Sequence, residues 1–405
     1  MTIAALKPRD HADWKAGLIC SRTGIPKPLL ANAITALRYS PEWAMTIAFD
    51  EFAMTTRADA APPWEMAPGE WAPRPWTPHD DLLTTEWLQH QGIEVTLGIA
   101  QQAIETVGRD RACNPLLDYL DALEWDGQPR LTSWMANYLG APDTPYTNNV
   151  SRQALIAAVA RVRNPGCKVD TVPIIEGPQG IGKSSALREL FAPWFSDELA
   201  ELGSKDAAMQ TRGAWLIEIS ELDAMSRAEV SRIKAFITRT TDRFRPPYGS
   251  RVIESPRSCV FWGTTNSDAY LKDESGGRRF WPIRASKIDL TGLRGVKDQL
   301  WAEAQTLFAN GCAWWLVNPD VQRDAREEQR ARYIGDPWES AISDYLKEVS
   351  DVSVEEVLAL AIHLERTRWT QVEMNRVARC LRSLGWLRFQ TRSGDKRVWR
   401  YRNGA

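Results

Sequence analysis

Gly177, Gly180, Gly182, Lys183 and Ser184 are the residues of this chain whose types and spacing point most directly to chemistry. They lie in Thr171-Val-Pro-Ile-Ile-Glu-Gly-Pro-Gln-Gly-Ile-Gly-Lys-Ser-Ser185, which fits G-x-x-x-x-G-K-[ST], the loop that cradles phosphate between a strand and a helix. The glycines let the backbone turn so that successive N–H groups converge on one anion. The expected nucleotide-binding segment is therefore Gly177, Pro178, Gln179, Gly180, Ile181, Gly182, Lys183, Ser184 and Ser185. Within it, Lys183 is expected to reach the β- and γ-phosphates and the Ser184 hydroxyl to ligate Mg²⁺.

Carboxylates suited to holding that metal and orienting water follow. The run Ala214-Trp-Leu-Ile-Glu-Ile-Ser-Glu-Leu-Asp223 reads as a buried strand ending in acids, and Glu221 stands 38 residues after Lys183. Glu221 is the first choice for the catalytic and metal-holding carboxylate and Glu218 the second, since the pattern does not say which faces the nucleotide. A further strand, Cys259-Val-Phe-Trp262, runs into Gly-Thr-Thr-Asn266, whose amide is placed to contact the γ-phosphate or the attacking water. Gly276-Gly-Arg278-Arg279 puts two arginines on a flexible turn. They are either surface ion-pair partners or a finger reaching phosphoryl charge in a neighbouring subunit.

Two basic stretches are candidates for nucleic acid. Lys234, Arg239, Arg243, Arg245 and Arg251 interleave with Phe244 and Tyr248, with Pro-Pro and Gly-Ser suggesting a hairpin-like loop. Cations for phosphates and aromatics for bases suit a single strand; the plain alternative is a solvated basic loop. From Leu364 onward, eleven basic residues, Arg392, Lys396 and Arg397 among them, face three acidic ones, a net of +8. A local field of that size fits contact with a duplex.

These residues need particular elements to position them. Ile174 and Ile175 end an apolar run of the kind found inside a parallel sheet, and Leu187, Leu190 and Phe191 follow at helical spacing. Ser226-Arg-Ala-Glu229 is a capping box opening a helix with Val230, Ile233, Phe236 and Ile237 on its core face. The expectation is an α/β core, a parallel sheet between helices, over residues 166–335. Residues 80–165 carry helical faces (Ile99, Ala103, Ile104, Val107; Leu116, Leu117, Leu120, Leu123; Leu155, Ile156, Val159, Val162), with a turn at Trp125-Asp-Gly127. Residues 1–79 hold a short helix around Leu29–Leu37 and then a proline- and tryptophan-rich stretch, 57–79, expected to be a semi-extended linker. Residues 336–405 read as helices followed by a strand pair, a winged-helix-like unit.

The whole chain has 405 residues, enough for two or three domains, and its 50 basic and 52 acidic residues nearly cancel. Any nucleic-acid surface is thus local. The six cysteines are scattered without a C-x-x-C pair and fit reduced thiols, and the four histidines form no metal or triad pattern. With no signal pattern and no long apolar run, the expectation is a soluble cytoplasmic protein without a membrane partner. Of the nineteen tryptophans, most are expected in cores and a minority on bases.

Taken together, Asn114-Pro-Leu-Leu-Asp-Tyr-Leu, Trp125-Asp-Gly, Arg161-Val-Arg-Asn-Pro-Gly-Cys-Lys, Gly177-Pro-Gln-Gly-Ile-Gly-Lys-Ser, Trp215-Leu-Ile-Glu-Ile-Ser-Glu-Leu-Asp, Asp242-Arg-Phe-Arg-Pro-Pro-Tyr and Gly276-Gly-Arg-Arg-Phe-Trp-Pro resemble the virulence-associated protein E family. That family is similar to the superfamily 3 helicases, AAA+-type P-loop ATPases of phages and mobile elements. The resemblance implies an ATP-dependent DNA helicase that forms a ring, expected to be a homo-hexamer, with single-stranded DNA in its pore and ATP and Mg²⁺ at each subunit junction. It puts Glu221 on the acidic-motif glutamate, Asn266 on the sensor asparagine, Lys234 to Arg251 on the DNA-contacting hairpin, and Arg278 or Arg279 on the finger. Two departures stand out. Thr240-Thr241-Asp242 replaces the Gly-Gly-Asp common in the superfamily hairpin, and the first 110 residues do not resemble the primase that many relatives carry, so a primase would be a separate protein.

The alternative from another class is a non-unwinding initiator, binding duplex origin DNA through its C-terminal domain and switched by nucleotide. A small-molecule kinase would leave both basic stretches unexplained.

Overall fold

The computed structural model describes residues 11–65, 71–198, 205–221, 227–245, 251–271, 278–393 and 396–404. At its centre five strands form a wholly parallel sheet: β1 (Val172–Glu176), β2 (Phe195–Ser196), β3 (Leu216–Ile219), β4 (Val260–Thr265) and β5 (Phe280–Arg284). Their order is β5-β1-β4-β3-β2, so β4 lies between the strand that feeds the glycine loop and the strand that carries Glu218. Every residue of β1, β3 and β4 is buried, as both faces of the sheet are covered.

Strand alternation distributes side chains to two cores. Leu216, Val260, Trp262, Ile175 and Trp281 pack on one face with α1 (Pro145–Arg163), α2 (Lys183–Phe191) and α3 (Leu290–Ala309). Ile217, Ile219, Phe261, Val172, Ile174 and Phe280 pack on the other face with the helix Arg227–Ile237. In the first core Trp215 lies 4.1 Å from Trp301 and Phe191 lies 5.0 Å from Trp301, centroid to centroid. Their indole N–H groups are satisfied inside, Trp215 donating to Ala158 O and Trp301 to Leu190 O, each within 3.0 Å. These tryptophans are packing residues whose polar atom is spent on a backbone carbonyl.

The N-terminal part has more regular structure than its prolines suggest. Ile47–Asp50, Thr55–Ala58, Arg74–Pro75 and Ala112–Cys113 form a four-stranded sheet, and Trp64 packs edge-on against both Trp43 and Trp76, with Trp76 tilted on Trp43. Part of the expected linker is therefore strand, held by indole packing; its two-residue strand sits at the sheet edge, where proline's missing N–H costs nothing. The helices Pro78–His90 and Leu97–Asp110 share a hydrophobic cluster with Leu30–Tyr39, whereas residues 116–162 pack on the central sheet. Packing thus groups residues across the division expected at residue 79.

In the C-terminal part, Trp338–Leu346 and Gln371–Ser383 pack against a ribbon of Trp386–Ser393 and Lys396–Asn403, with Asp351–Val352 pairing alongside the second ribbon strand. Gly394 and Asp395, between the two ribbon strands, lie outside the described residues. No described helix is long and apolar enough to cross a membrane.

Candidate functional site

The glycine loop leaves β1 at Glu176 and enters α2 at Lys183. Gly177, Gly180 and Gly182 have φ of 152°, 81° and 97°, backbone that L side chains avoid. At Gly177 the requirement is also steric, since a Cβ would stand 2.6 Å from Ala285 O. The loop thus forms from the glycines themselves, and α2 begins with its first N–H groups facing outward from the sheet end.

A cavity of about 350 Å³ opens there, lined by Gln179, Gly180, Gly182, Lys183, Ser184, Ser185, Ser220, Glu221, Thr264, Thr265 and Asn266. Lys183 is buried and its ammonium is fully engaged, donating to Gly177 O at 2.8 Å, Pro178 O at 2.9 Å and Asn266 Oδ1 at 2.8 Å. Burial pulls its pKa below the ordinary lysine value, and the nearby Glu218 charge opposes the shift.

Glu218 is the carboxylate that reaches Ser184. Both Ser184 Oγ and Thr264 Oγ1 donate to Glu218 Oε1 at 2.6 Å, while Glu218 Oε2 is buried without a partner among the described residues. Strand parity explains this contact: Glu218 shares a face with Leu216, and Thr264 with Trp262, the face against which α2 packs. Glu221 lies beyond the strand end at φ 52°, exposed, on the cavity rim. The two acids left open by the sequence therefore differ in depth. A buried carboxylate oxygen with no donor, beside a serine hydroxyl, fits a hard cation such as Mg²⁺, which takes one or two carboxylates plus phosphate and water.

One carboxylate near the site went unread in the sequence. Glu176, the last residue of β1, has the opposite parity and turns to the other face. There it accepts from Tyr270 OH at 2.7 Å and from Arg332 Nε and Nη2 at 2.8 Å each. Burial alone would lower the Arg332 pKa, but hydrogen bonds and charge from Glu176 raise it above the ordinary arginine value. Burial, then the Glu176 charge, holds the Tyr270 phenol well above its usual range. Arg332 O also accepts from the backbone of Tyr270 and Leu271, so the segment after Asn266 is tied to the root of the glycine loop. Nothing in local sequence pattern marks Arg332. Thr264 was legible within the Thr-Thr-Asn run.

Arg278 and Arg279 are not part of this cavity. β5 runs parallel to β1 with Phe280 opposite Val172 and Arg284 opposite Glu176, so both arginines lie at the sheet end away from the loop. Four residue steps of strand put them roughly 13 Å or more from it. Arg278 is exposed, and Arg279 Nε is buried without a hydrogen-bond partner among the described residues.

The basic hairpin is real at its base: Thr241–Phe244 pairs antiparallel with Ile253–Pro256. Asp242 and Phe244 point inward, and Arg239, Arg243, Arg245 and Arg251 are exposed, with Arg243 3.8 Å from Glu254. Asp242 anchors the hairpin through a buried ion pair with Arg257, whose guanidinium lies 4.1 Å from the centre of the Phe236 ring. Tyr248, the Pro246-Pro247 and Gly249-Ser250 pairs, the start of the capping box at Ser226 and the Gly276-Gly277 turn lie outside the described residues. Lys234 corrects the expectation. It is buried, with its ammonium 5.7 Å from the centre of the Phe280 ring, because it follows Val230 by four residues and falls in the same apolar stripe. It is a core residue and does not belong to a DNA-facing set. Arg392 and Arg397 are exposed on the C-terminal ribbon; the Lys396 side chain is outside the described residues.

Among known proteins, the virulence-associated protein E-like domain matches residues 120–334. No curated protein matches the chain. In fold it is similar to two apo structures of the NrS-1 C terminal region, one of them in the A form. Each is 11% identical, covers 88% of this chain and 96% of its own, with TM-scores of 0.47 and 0.48.

Proposed function

Since the chain belongs to the virulence-associated protein E-like domain family, we propose that it is a P-loop ATPase that drives a DNA helicase in the replication of a phage or mobile element. The observation that carries this reading is the convergence of Lys183, Ser184 and Asn266 on one cavity at the carboxyl end of a parallel sheet, with Glu218 buried behind it and bonded to Ser184. The strand interposed between the loop strand and the acidic strand, with Asn266 just past its tip, supports an AAA+-type, superfamily 3 core over residues 166–335. Residues 336–405 are read as a winged-helix-like domain.

In this reading ATP phosphates take the loop amides and Lys183, which must give up bonds it now makes to protein oxygens. Mg²⁺, held by Ser184 with Glu218 and Glu221, would neutralise phosphate charge. Asn266 aligns the γ-phosphate or the attacking water. Arg278 and Arg279 stand too far from their own loop to act on it, so they serve the site of a neighbouring subunit. This favours a ring, with six subunits as the number the family likeness suggests. Arg239, Arg243, Arg245 and Arg251 then face a single strand in the pore.

Steady-state ATPase activity with and without single-stranded DNA tests this, comparing wild type, Lys183→Ala, Arg279→Ala and a mixture of the two variants. DNA-stimulated turnover in wild type, loss in each variant and partial recovery on mixing are the expected results. Negligible turnover by a wild type that binds ATP would sink the motor and favour a non-unwinding initiator, for which the basic C-terminal ribbon provides the DNA contact.

A further inference from the structure

The eleven basic residues after Leu364 are one field in the sequence, and the fold divides them. Arg376 is held by Asp336 at 2.6 Å and lies 4.0 Å from the centre of the Trp338 ring. Arg400 is clamped between Asp351 and Glu356, with Nη2 2.8 Å from Glu356 Oε2. These acids precede Leu364. Over residues 336–405 as a whole, twelve basic residues face ten acidic ones, so the net positive field nearly vanishes.

Of the cations that remain, three gather on one face of the ribbon. Arg388, Gln390 and Arg392 alternate onto the same side, and the ladder puts Trp399 opposite Gln390 and Arg397 opposite Arg392. The Arg388 guanidinium lies 4.0 Å from the centre of the Trp399 ring, and Trp399 remains 49% exposed. Arg388, Arg392 and Arg397 are exposed, and none has an ion-pair partner among the described residues. Two like charges directly opposite each other weaken a ladder, and this pair is stabilised by nothing described nearby. Apart from Trp315, the other tryptophans are buried or half-buried. Among the described residues only Trp315 and Trp399 are large exposed indoles.

We propose that this ribbon face binds single-stranded nucleic acid, with Trp399 stacking on one unpaired base and Arg388, Arg392 and Arg397 holding the flanking phosphates. An indole on an open strand face has a π-surface to offer, and the bases of a duplex are already stacked on each other. The choice of a polyanion follows from three cations on the face of that ring with no ion-pair partner among the described residues. The identity of the strand as DNA rests on the proposed replicative function; binding to the ribbon requires no nucleotide turnover.

The test is fluorescence anisotropy of a labelled oligothymidylate and of a duplex of equal length, with the full chain and no ATP. An Arg239→Ala/Arg243→Ala/Arg245→Ala/Arg251→Ala background removes the exposed arginines of the other basic hairpin. Trp399→Ala should weaken single-strand binding about tenfold, with Trp399→Phe recovering part of it. Arg392→Ala/Arg397→Ala should lower the slope of log affinity against log salt by about two. Duplex affinity should fall much less with Trp399→Ala. Equal losses on both forms would overturn the single-strand assignment in favour of a duplex contact, and unchanged affinity in folded variants would overturn the site. Lys183→Ala, run alongside, separates this outcome from failure of the ATPase reading: it should bind the oligonucleotide like wild type.

Discussion

The Lys183 ammonium donates to Asn266 Oδ1 at 2.8 Å across 83 residues of chain, joining the glycine loop to the tip of the adjacent strand. With Gly177 O and Pro178 O it uses all three ammonium hydrogens, so a phosphate must displace a protein acceptor to be bound.

Removing that acceptor should separate binding from turnover. Asn266→Ala is expected to leave nucleotide affinity intact or tighter, because a competitor for Lys183 is gone, while single-turnover hydrolysis falls about a hundredfold. Asn266→Asp should weaken binding by pairing its charge with Lys183. Fluorescent nucleotide titration and quenched-flow hydrolysis read the two effects, and parallel losses in both would contradict this account.

The two acids of the site should have separable effects. Glu218→Gln alters the group hydrogen-bonded to Ser184 and Thr264, so the Mg²⁺ concentration for half-maximal activity should rise at least about tenfold. Glu221→Gln, on the cavity rim, should raise that midpoint less and lower kcat about a hundredfold. Identical Mg²⁺ titrations for the two variants would show that their roles are not divided this way.

The Glu176–Arg332 pair is predicted to matter for stability as well as for the loop. Arg332→Leu leaves the Glu176 carboxylate buried with only Tyr270 as donor among the described residues, at a cost of about 3–5 kcal/mol. The double variant Glu176→Gln/Arg332→Leu should recover much of that loss. Urea unfolding of the single and double variants measures it; additive losses would mean that the two residues act independently.

Asp80 links acid stability to the N-terminal part. Burial would raise its pKa, but hydrogen bonds from Arg74 and Thr77 outweigh this and hold it below the ordinary 3.8. A depressed folded-state carboxylate contributes stability that is complete above the unfolded value and lost as pH falls through the folded value. Asp80→Asn should therefore lower the melting temperature near neutral pH and flatten the acid limb below about pH 4. An unchanged acid limb would assign that transition to other groups.

Much of the site could be read along the chain because it is made of local geometry. The glycines that permit positive φ, the apolar run ahead of them and the helix after them are contiguous, so Gly177 to Ser185 declares itself. The β4 strand leading to Asn266 was equally readable from its apolar run and polar tip. Lys234 was misassigned by composition when its helical period, shared with Val230 and Ile237, already put it in the core. The strands around Trp43 were hidden because prolines at a sheet edge look like linker.

The amino-acid sequence by itself determined the glycine loop, the alternation of strands and helices around it, the family and the separation of a basic C-terminal end, all properties of neighbouring residues. Only the tertiary structure decided which acid meets Ser184, that Glu176 turns away to Arg332, that Arg278 and Arg279 stand at the far end of the sheet, and which of the C-terminal cations remain unpaired. The reason is physical: in a sheet buried on both faces hydrophobicity no longer reports parity, and an ion pair between residues more than a hundred apart, such as Glu176 and Arg332, leaves no local pattern in either partner.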